Sequence, residues 1–231
     1  MPISKFMGRS EGRVLLVMLL IAGGSWAFIE ISDEVREGSV SALDQRILTA
    51  LRSNESPHDP LGPKLLEQVA RDLSALGSVS VLVLLTAAVS GFLLLTGNRR
   101  TAVVVVFAVI TGFAAGRLLK AGFARPRPEF VPPDMVVSEH SFPSGHAMHA
   151  ALTYLTLAAL LTSLQSSRRV KAYILGAAIS TMCLVGISRI YLGVHWPTAV
   201  LAGWTAGATW ALIWWLIGRP KAIRLPMHHG T

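Results

Sequence analysis

The stretch TAVVVVFAVITGFAAGRLL, residues 101–119, decides the fold. It stays apolar for close to the ~20 residues that a helix needs to cross ~30 Å of hydrocarbon, and its one charge, Arg117, comes near its end. Outward from it, apolar runs of similar length recur at 14–30, 78–96, 147–165, 170–188 and 197–217. Of the 231 residues 52% are hydrophobic and only 15% are charged, whereas a soluble domain carries about 25% charged residues. The expected fold is all-α: a bundle of six transmembrane helices, with residues 1–231 forming one membrane-embedded domain.

The net charge of +8 is sorted by segment. Lys5, Arg9 and Arg13 precede the first run, and Arg99-Arg100 separates the second from the third. Arg168, Arg169 and Lys171 separate the fourth from the fifth, and Arg219, Lys221 and Arg224 follow the last, in a tail over 218–231. Basic loops stay on the cytoplasmic side, so both termini are expected inside. The loops after the first, third and fifth runs are then outside, on the periplasmic face if the membrane is a bacterial inner one. This pattern answers to a lipid bilayer and not to nucleic acid. Residues 30–77 hold nine of the thirteen acids, and acids do little to resist translocation. The first run reads as a retained anchor, not a cleaved signal, because it stays apolar through Phe28 and Ile29. A single cysteine, Cys183, excludes an intramolecular disulfide.

Residues 31–77 are too polar to span and too regular to be a tail. Leu43, Ile47 and Leu51 recur at helical spacing, and Leu66, Val69, Leu73 and Leu76 do so again after a breaker run from Asn54 to Pro63. Two short amphipathic helices on the outer surface are expected, as a lid or as a packing cap.

Three separated clusters carry the chemistry: Lys120 with Arg127-Pro128, then Pro143-Ser144-Gly145-His146, then Ser188-Arg189 with His195. The expected spans bring all three to the outer face. Three cations can hold a phosphate dianion, two imidazoles can divide nucleophilic and acid–base work, and a Ser-Gly pair at a helix start can donate hydrogen bonds to an anion. Singly, a Lys or Arg at such a position is an interfacial anchor; convergence argues otherwise. His149 invites a metal reading, but a His pair without a third nearby ligand reads as packing. His140, Glu139 and Asp134 either contact a headgroup or are merely solvated, Arg125 reads as a solvated loop residue ahead of a further phosphate contact, and His228 and His229 belong to no site.

In their order and spacing these clusters resemble the type 2 phosphatidic acid phosphatase family, whose site motifs vanadium haloperoxidases share; the matched region, 120–199, covers roughly a third of the chain. The resemblance implies a metal-independent lipid phosphate phosphatase with no cofactor, acting on a phosphomonoester or diphosphate of a membrane lipid. Phosphatidate, phosphatidylglycerophosphate, an isoprenoid diphosphate and a lipid A phosphate all suit it. By the same resemblance His195 attacks phosphorus to form a phosphohistidine. His146 protonates the leaving group and later activates water. Lys120, Arg127, Ser144, Gly145 and Arg189 bind the phosphate. The oligomeric state is left open.

One position departs from that pattern. Where the family has an Asp four residues after its nucleophilic His, to accept the ring's other N–H, this chain has Ala199. In a serine-protease triad, losing the corresponding Asp costs on the order of 10⁴ in turnover. Three readings follow. Another acceptor serves: Thr198, a backbone carbonyl, or Asp134 or Glu139 folding back. Or the chain is a weak or binding-only relative. Or Ala199 is an engineered substitution. A lipid phosphotransferase is the neighbouring enzymatic alternative.

Overall fold

The computed structural model describes residues 9–54, 56, 58–123, 125–131, 140–163 and 165–218. Asp134, Glu139, His228, His229 and the basic residues of the C-terminal tail lie outside them. The described chain is helical, without strands: α1 (Arg9–Glu37), α2 (Ser41–Ala50), α3 (Lys64–Ala75), α4 (Val79–Leu95), α5 (Arg99–Gly122), α6 (Gly145–Ser163), α7 (Arg168–Tyr191) and α8 (Pro197–Gly218).

Local chemistry sets the starts. Ser78 and Ser167 cap α4 and α7, their side chains accepting from Val81 N–H and Val170 N–H. Pro197 opens α8, where a missing N–H costs nothing.

Four of the long helices, α1, α5, α7 and α8, are long and apolar enough to cross a membrane. α3 and α4 pass that test only as a pair bent by 48°, since α4 alone has 17 residues. α6 is not among them. It carries His146, His149, Thr153, Tyr154 and Thr156, and it sits at the centre of the bundle against α5, α7 and α8. Four to five spans therefore qualify on length and hydropathy, against six expected. The shortfall falls where the site's polar residues are spent.

α6 and α8 approach closely because their contact is made of small residues. A Cβ on Gly203 would lie 2.7 Å from the Ser144 carbonyl oxygen, and one on Gly207 would lie 2.4 Å from that of Met148. Lipid-facing helices gain little from burying apolar surface, so such backbone approach is their main packing device. α1 lays Phe28 and Ile31 against Phe142, Ala199 and Ala202.

The helices expected within 31–77 are present as α2 and α3, and their leucine stripes are exposed. Leu43 is 57% exposed and Leu66 46%, whereas Asp44 is fully buried and Ser74 nearly so. The apolar stripe points outward and polar groups point into the body. The two helices are anchored by distant contacts: Tyr191 Oη donates to Leu61 O (2.8 Å) and Tyr154 Oη to Leu76 O (3.0 Å). The Arg52 guanidinium, at the end of α2, donates to the carbonyls of Leu48 and Tyr191.

A cavity of about 530 Å³ brings together Arg13, Arg100, Ser163, Trp214 and Gly218. The starts of α1 and α5 and the ends of α6 and α8 therefore share one end of the bundle. The three motif clusters lie at the other.

Candidate active site

Three connections converge on His195. The first follows α5, whose last turn carries Lys120. Its continuation is pinned by a bridge between Pro126 and His140, and Ser141 N–H donates to Arg125 O (2.9 Å). Residues 125–126 and 140–141 are thus held side by side, which brings Arg127 beside the second cluster. The second connection is Ser141-Phe142-Pro143-Ser144, wholly buried, leading into α6. Ser144 N–H donates to Ala199 O (2.9 Å), tying the start of α6 to the first turn of α8. The third is the turn from Leu192 to Trp196. Its Gly193 has φ +71°, and a Cβ there would meet Phe130 at 2.9 Å. Only glycine fits, on both counts.

His195 is 1% exposed. Its Nδ1 lies 2.8 Å from the Ser141 carbonyl oxygen, so Nδ1 carries the proton and the Nε2 lone pair is left for chemistry. Arg127 Nη1 is 3.4 Å from that Nε2 and also donates to the Val194 carbonyl. Arg189, 4% exposed, donates from Nη1 to Ser74 Oγ of α3 (2.8 Å). Lys120, Arg127 and Arg189 lie within electrostatic reach of both His195 and His146. Burial, with these three cations beside it, holds His195 well below the usual imidazole value, and the Ser141 hydrogen bond opposes this only in part. Burial pushes Arg127 down to about 10, which leaves it cationic at neutral pH. Ser144 Oγ and Arg189 Nε are buried and meet no hydrogen-bond partner among the described residues.

The structure thus gathers the predicted set, His195, His146, Lys120, Arg127, Arg189, Ser144 and Gly145, at one end of the bundle. Ala199 is buried with Phe142 and Ala202, its methyl in an apolar cluster. Among the described residues, the acceptor in place for His195 is a backbone carbonyl, that of Ser141; Asp134 and Glu139 lie outside them. Thr198 is engaged elsewhere: its Oγ1 donates to Asp44 Oδ2 (2.5 Å) and accepts from Arg125 Nη1 (2.7 Å). Arg125 is correspondingly not a solvated loop residue. It forms a 2.7 Å ion pair with buried Asp44 and stacks over Trp196. His149 packs on Phe113 with ring centres 4.2 Å apart, its Nε2 turned to Gly116 of α5.

Asp44, Ser74 and Ser141 are the functional-site neighbours that sequence reasoning missed. Asp44 and Ser74 lie 151 and 121 positions before His195, on faces that a local pattern marks as solvent. The one available signal was an Asp and a Ser at the same helical phase as the buried Leu48 and Ala70.

Comparison with known proteins bears on the same residues. A model of the PAP2 superfamily matches residues 101–222, which span all three clusters. The chain is 30% identical to phosphatidylglycerophosphatase B of Bacillus subtilis strain 168 over 183 residues, 78% of this chain and 85% of that protein. It is 35% identical to an undecaprenyl-diphosphatase of Sulfolobus acidocaldarius over 48% of this chain and 52% of the relative. The crystal structure of a transmembrane PAP2-type phosphatidylglycerolphosphate phosphatase from Bacillus subtilis superposes with a TM-score of 0.76 at 27% identity, covering 84% of this chain and 93% of that one. LpxE of Aquifex aeolicus superposes with 0.52 at 25% identity, over 73% and 90% of the two chains. The clusters read from the sequence, the helical frame that gathers them and the extent of these matches agree, and the chain belongs to the PAP2 superfamily.

Proposed function

We propose that this chain is an integral-membrane phosphoric-ester hydrolase that removes phosphate from a membrane lipid through a phosphohistidine intermediate. The observation that carries the reading is the His195 ring, held by Nδ1 on the Ser141 carbonyl with Nε2 beside Arg127. An imidazole held in one tautomer, uncharged in its buried setting, is a nucleophile ready to attack. His195 Nε2 attacks phosphorus and the lipid alkoxide leaves with a proton from His146. His146 then takes a proton from water, which attacks phosphorus and breaks the P–N bond to release inorganic phosphate. Lys120, Arg127 and Arg189 hold the equatorial oxygens as charge moves between them, the fixed electrostatic support on which phosphoryl transfer chiefly depends. Ser144 Oγ and Arg189 Nε gain partners when a phosphate occupies the site. The Gly145 amide, at the start of α6, faces an anion favourably.

In this reading the bundle crosses the membrane six times, with α6 as the shielded central span and α3–α4 as a broken one. Both termini are cytoplasmic and the site faces outward. Lipids of the kinds named for the relatives, phosphatidylglycerophosphate and undecaprenyl diphosphate, are the first substrates to try, followed by phosphatidate and lipid A phosphates.

Ala199 supports a second reading, a lipid-phosphate binder with weak turnover. A carbonyl fixes the tautomer as a carboxylate would, but it brings only a partial charge to stabilise the phosphorylated ring. Phosphate release by the purified chain, measured with chelator present across that lipid panel, decides between the two. The hydrolase reading expects turnover that His195→Ala abolishes. Binding without release establishes the second reading, and full turnover by His195→Ala removes the phosphohistidine mechanism.

A further inference from the structure

The fully buried carboxylate of Asp44 has no place in the chemistry above, yet it sits against the catalytic turn. From α2 it accepts three hydrogen bonds. Thr198 N–H reaches Oδ1 (3.0 Å), and Thr198 Oγ1 and Arg125 Nη2 both reach Oδ2 (2.5 and 2.7 Å). Thr198 is the second residue of α8, so Asp44 satisfies one of the orphan N–H groups of that helix. A carboxylate at a helix N-terminus is also favoured by the dipole. Arg125 completes the arrangement by donating to Thr198 Oγ1 and stacking on Trp196, the residue between His195 and Pro197. Trp196 in turn donates from Nε1 to Pro126 O (2.9 Å). Arg125 O accepts from Ser141 N–H, and Ser141 O holds His195. One closed set of contacts therefore runs from Asp44 through Arg125 and Thr198 to both sides of the nucleophile.

We propose that Asp44 and Arg125 are positioning residues for His195: the segment after the first span supplies, from a distant element, a carboxylate that locks the start of α8 and the carbonyl to which the imidazole is tied. A fully buried carboxylate, even paired with a partly buried arginine, is costly to keep for stability alone. Here all three hydrogen bonds that the carboxylate accepts come from Thr198 and Arg125, beside the catalytic turn. With Ala199 unable to hold the ring, its placement depends on the Ser141 carbonyl, and hence on what fixes that carbonyl.

This inference rests on the hydrolase reading for its kinetic test and not for its spectroscopic one. In Asp44→Asn, similar in shape, kcat per folded molecule is expected to fall between about 10-fold and 10²-fold, the effect of displacing a reacting group by about 1 Å, with KM moving less than about threefold. Thr198→Val is expected to fall in the same direction, and the double variant no further than Asp44→Asn, as for groups acting through one network. Wild-type kcat per folded molecule in Asp44→Asn, with only a lowered melting temperature, would reduce the network to a structural one. A change confined to KM would assign it to lipid entry. Independently of turnover, the ¹⁵N resonances of His195, identified by their loss in His195→Asn, are expected to report one Nδ1–H tautomer in the parent and averaging tautomers in Asp44→Asn and Arg125→Gln. Unchanged resonances in both variants overturn the proposal even if no lipid phosphate is hydrolysed.

Discussion

His195 shows what burial does to an imidazole in this frame. Desolvation and the neighbouring Arg189, Arg127 and Lys120 lower its folded-state pKa well below the usual ~6.5. Above about pH 6.5 the ring is neutral folded or unfolded and adds no pH dependence. Below that, the unfolded chain binds a proton that the folded one refuses, so stability falls as the medium is acidified. The same shift keeps Nε2 nucleophilic in mild acid. The acid limb of kcat/KM that belongs to His195 is therefore expected well below pH 6.5, and a limb at 6.5 traced to this residue would contradict its burial among cations. At Ala199 the expected outcome is a gain. Ala199→Asp should raise kcat, by well short of the about 10⁴ that the Asp of a protease triad supplies, because the Ser141 carbonyl already fixes the tautomer. Unchanged kcat would mean that the carbonyl suffices. The His, Lys and Arg members of this site were legible from residue type and order. The carbonyl acceptor was not, because a backbone oxygen has no residue signature.

At the scale of elements, the contact between α6 and α8 sets the distance between the second and third clusters. Gly203 faces Ser144 and Gly207 faces Met148, so the small residues lie directly behind the start of α6. Gly203→Ala is expected to cost about 1–3 kcal/mol as an overpacked contact and to lower kcat together with stability, since the displaced residue is Ser144. Thermal unfolding and turnover measured on the same preparation check both; a stability loss with kcat intact would mean that the helix yields on its other side. The six long helices were legible as apolar runs, their ends within three residues except at α1, which starts five residues before its run and ends seven after it. The orientation of α2 and α3 was not. Their leucine stripe reads as an inward face only if the surrounding medium is water, and in a lipid-adjacent setting the apolar face can point outward while Asp44 and Ser74 point in.

For the whole molecule, charge sorting along the chain and convergence in space agree. Arg13 and Arg100 border one cavity, and the three motif clusters sit at the other end. The proposed topology puts the basic end inside. In a Cys183→Ser background, Lys64→Cys is expected to react with a membrane-impermeant thiol reagent on intact cells, and Arg169→Cys only after permeabilisation; both positions are exposed. The reverse pattern would invert the protein and place the site in the cytoplasm.

The sequence by itself determined the helical class, the long apolar helices and the ordered clusters proposed to handle phosphate, because hydropathy, charge bias and motif spacing are local properties of a chain. Only the tertiary structure decided what holds His195 and what the segment after α1 packs against. Those depend on contacts between residues far apart in sequence: Ser141 with His195, Ser74 with Arg189, Asp44 with Thr198 and Arg125. Such pairs leave no periodicity, and folding alone brings them together.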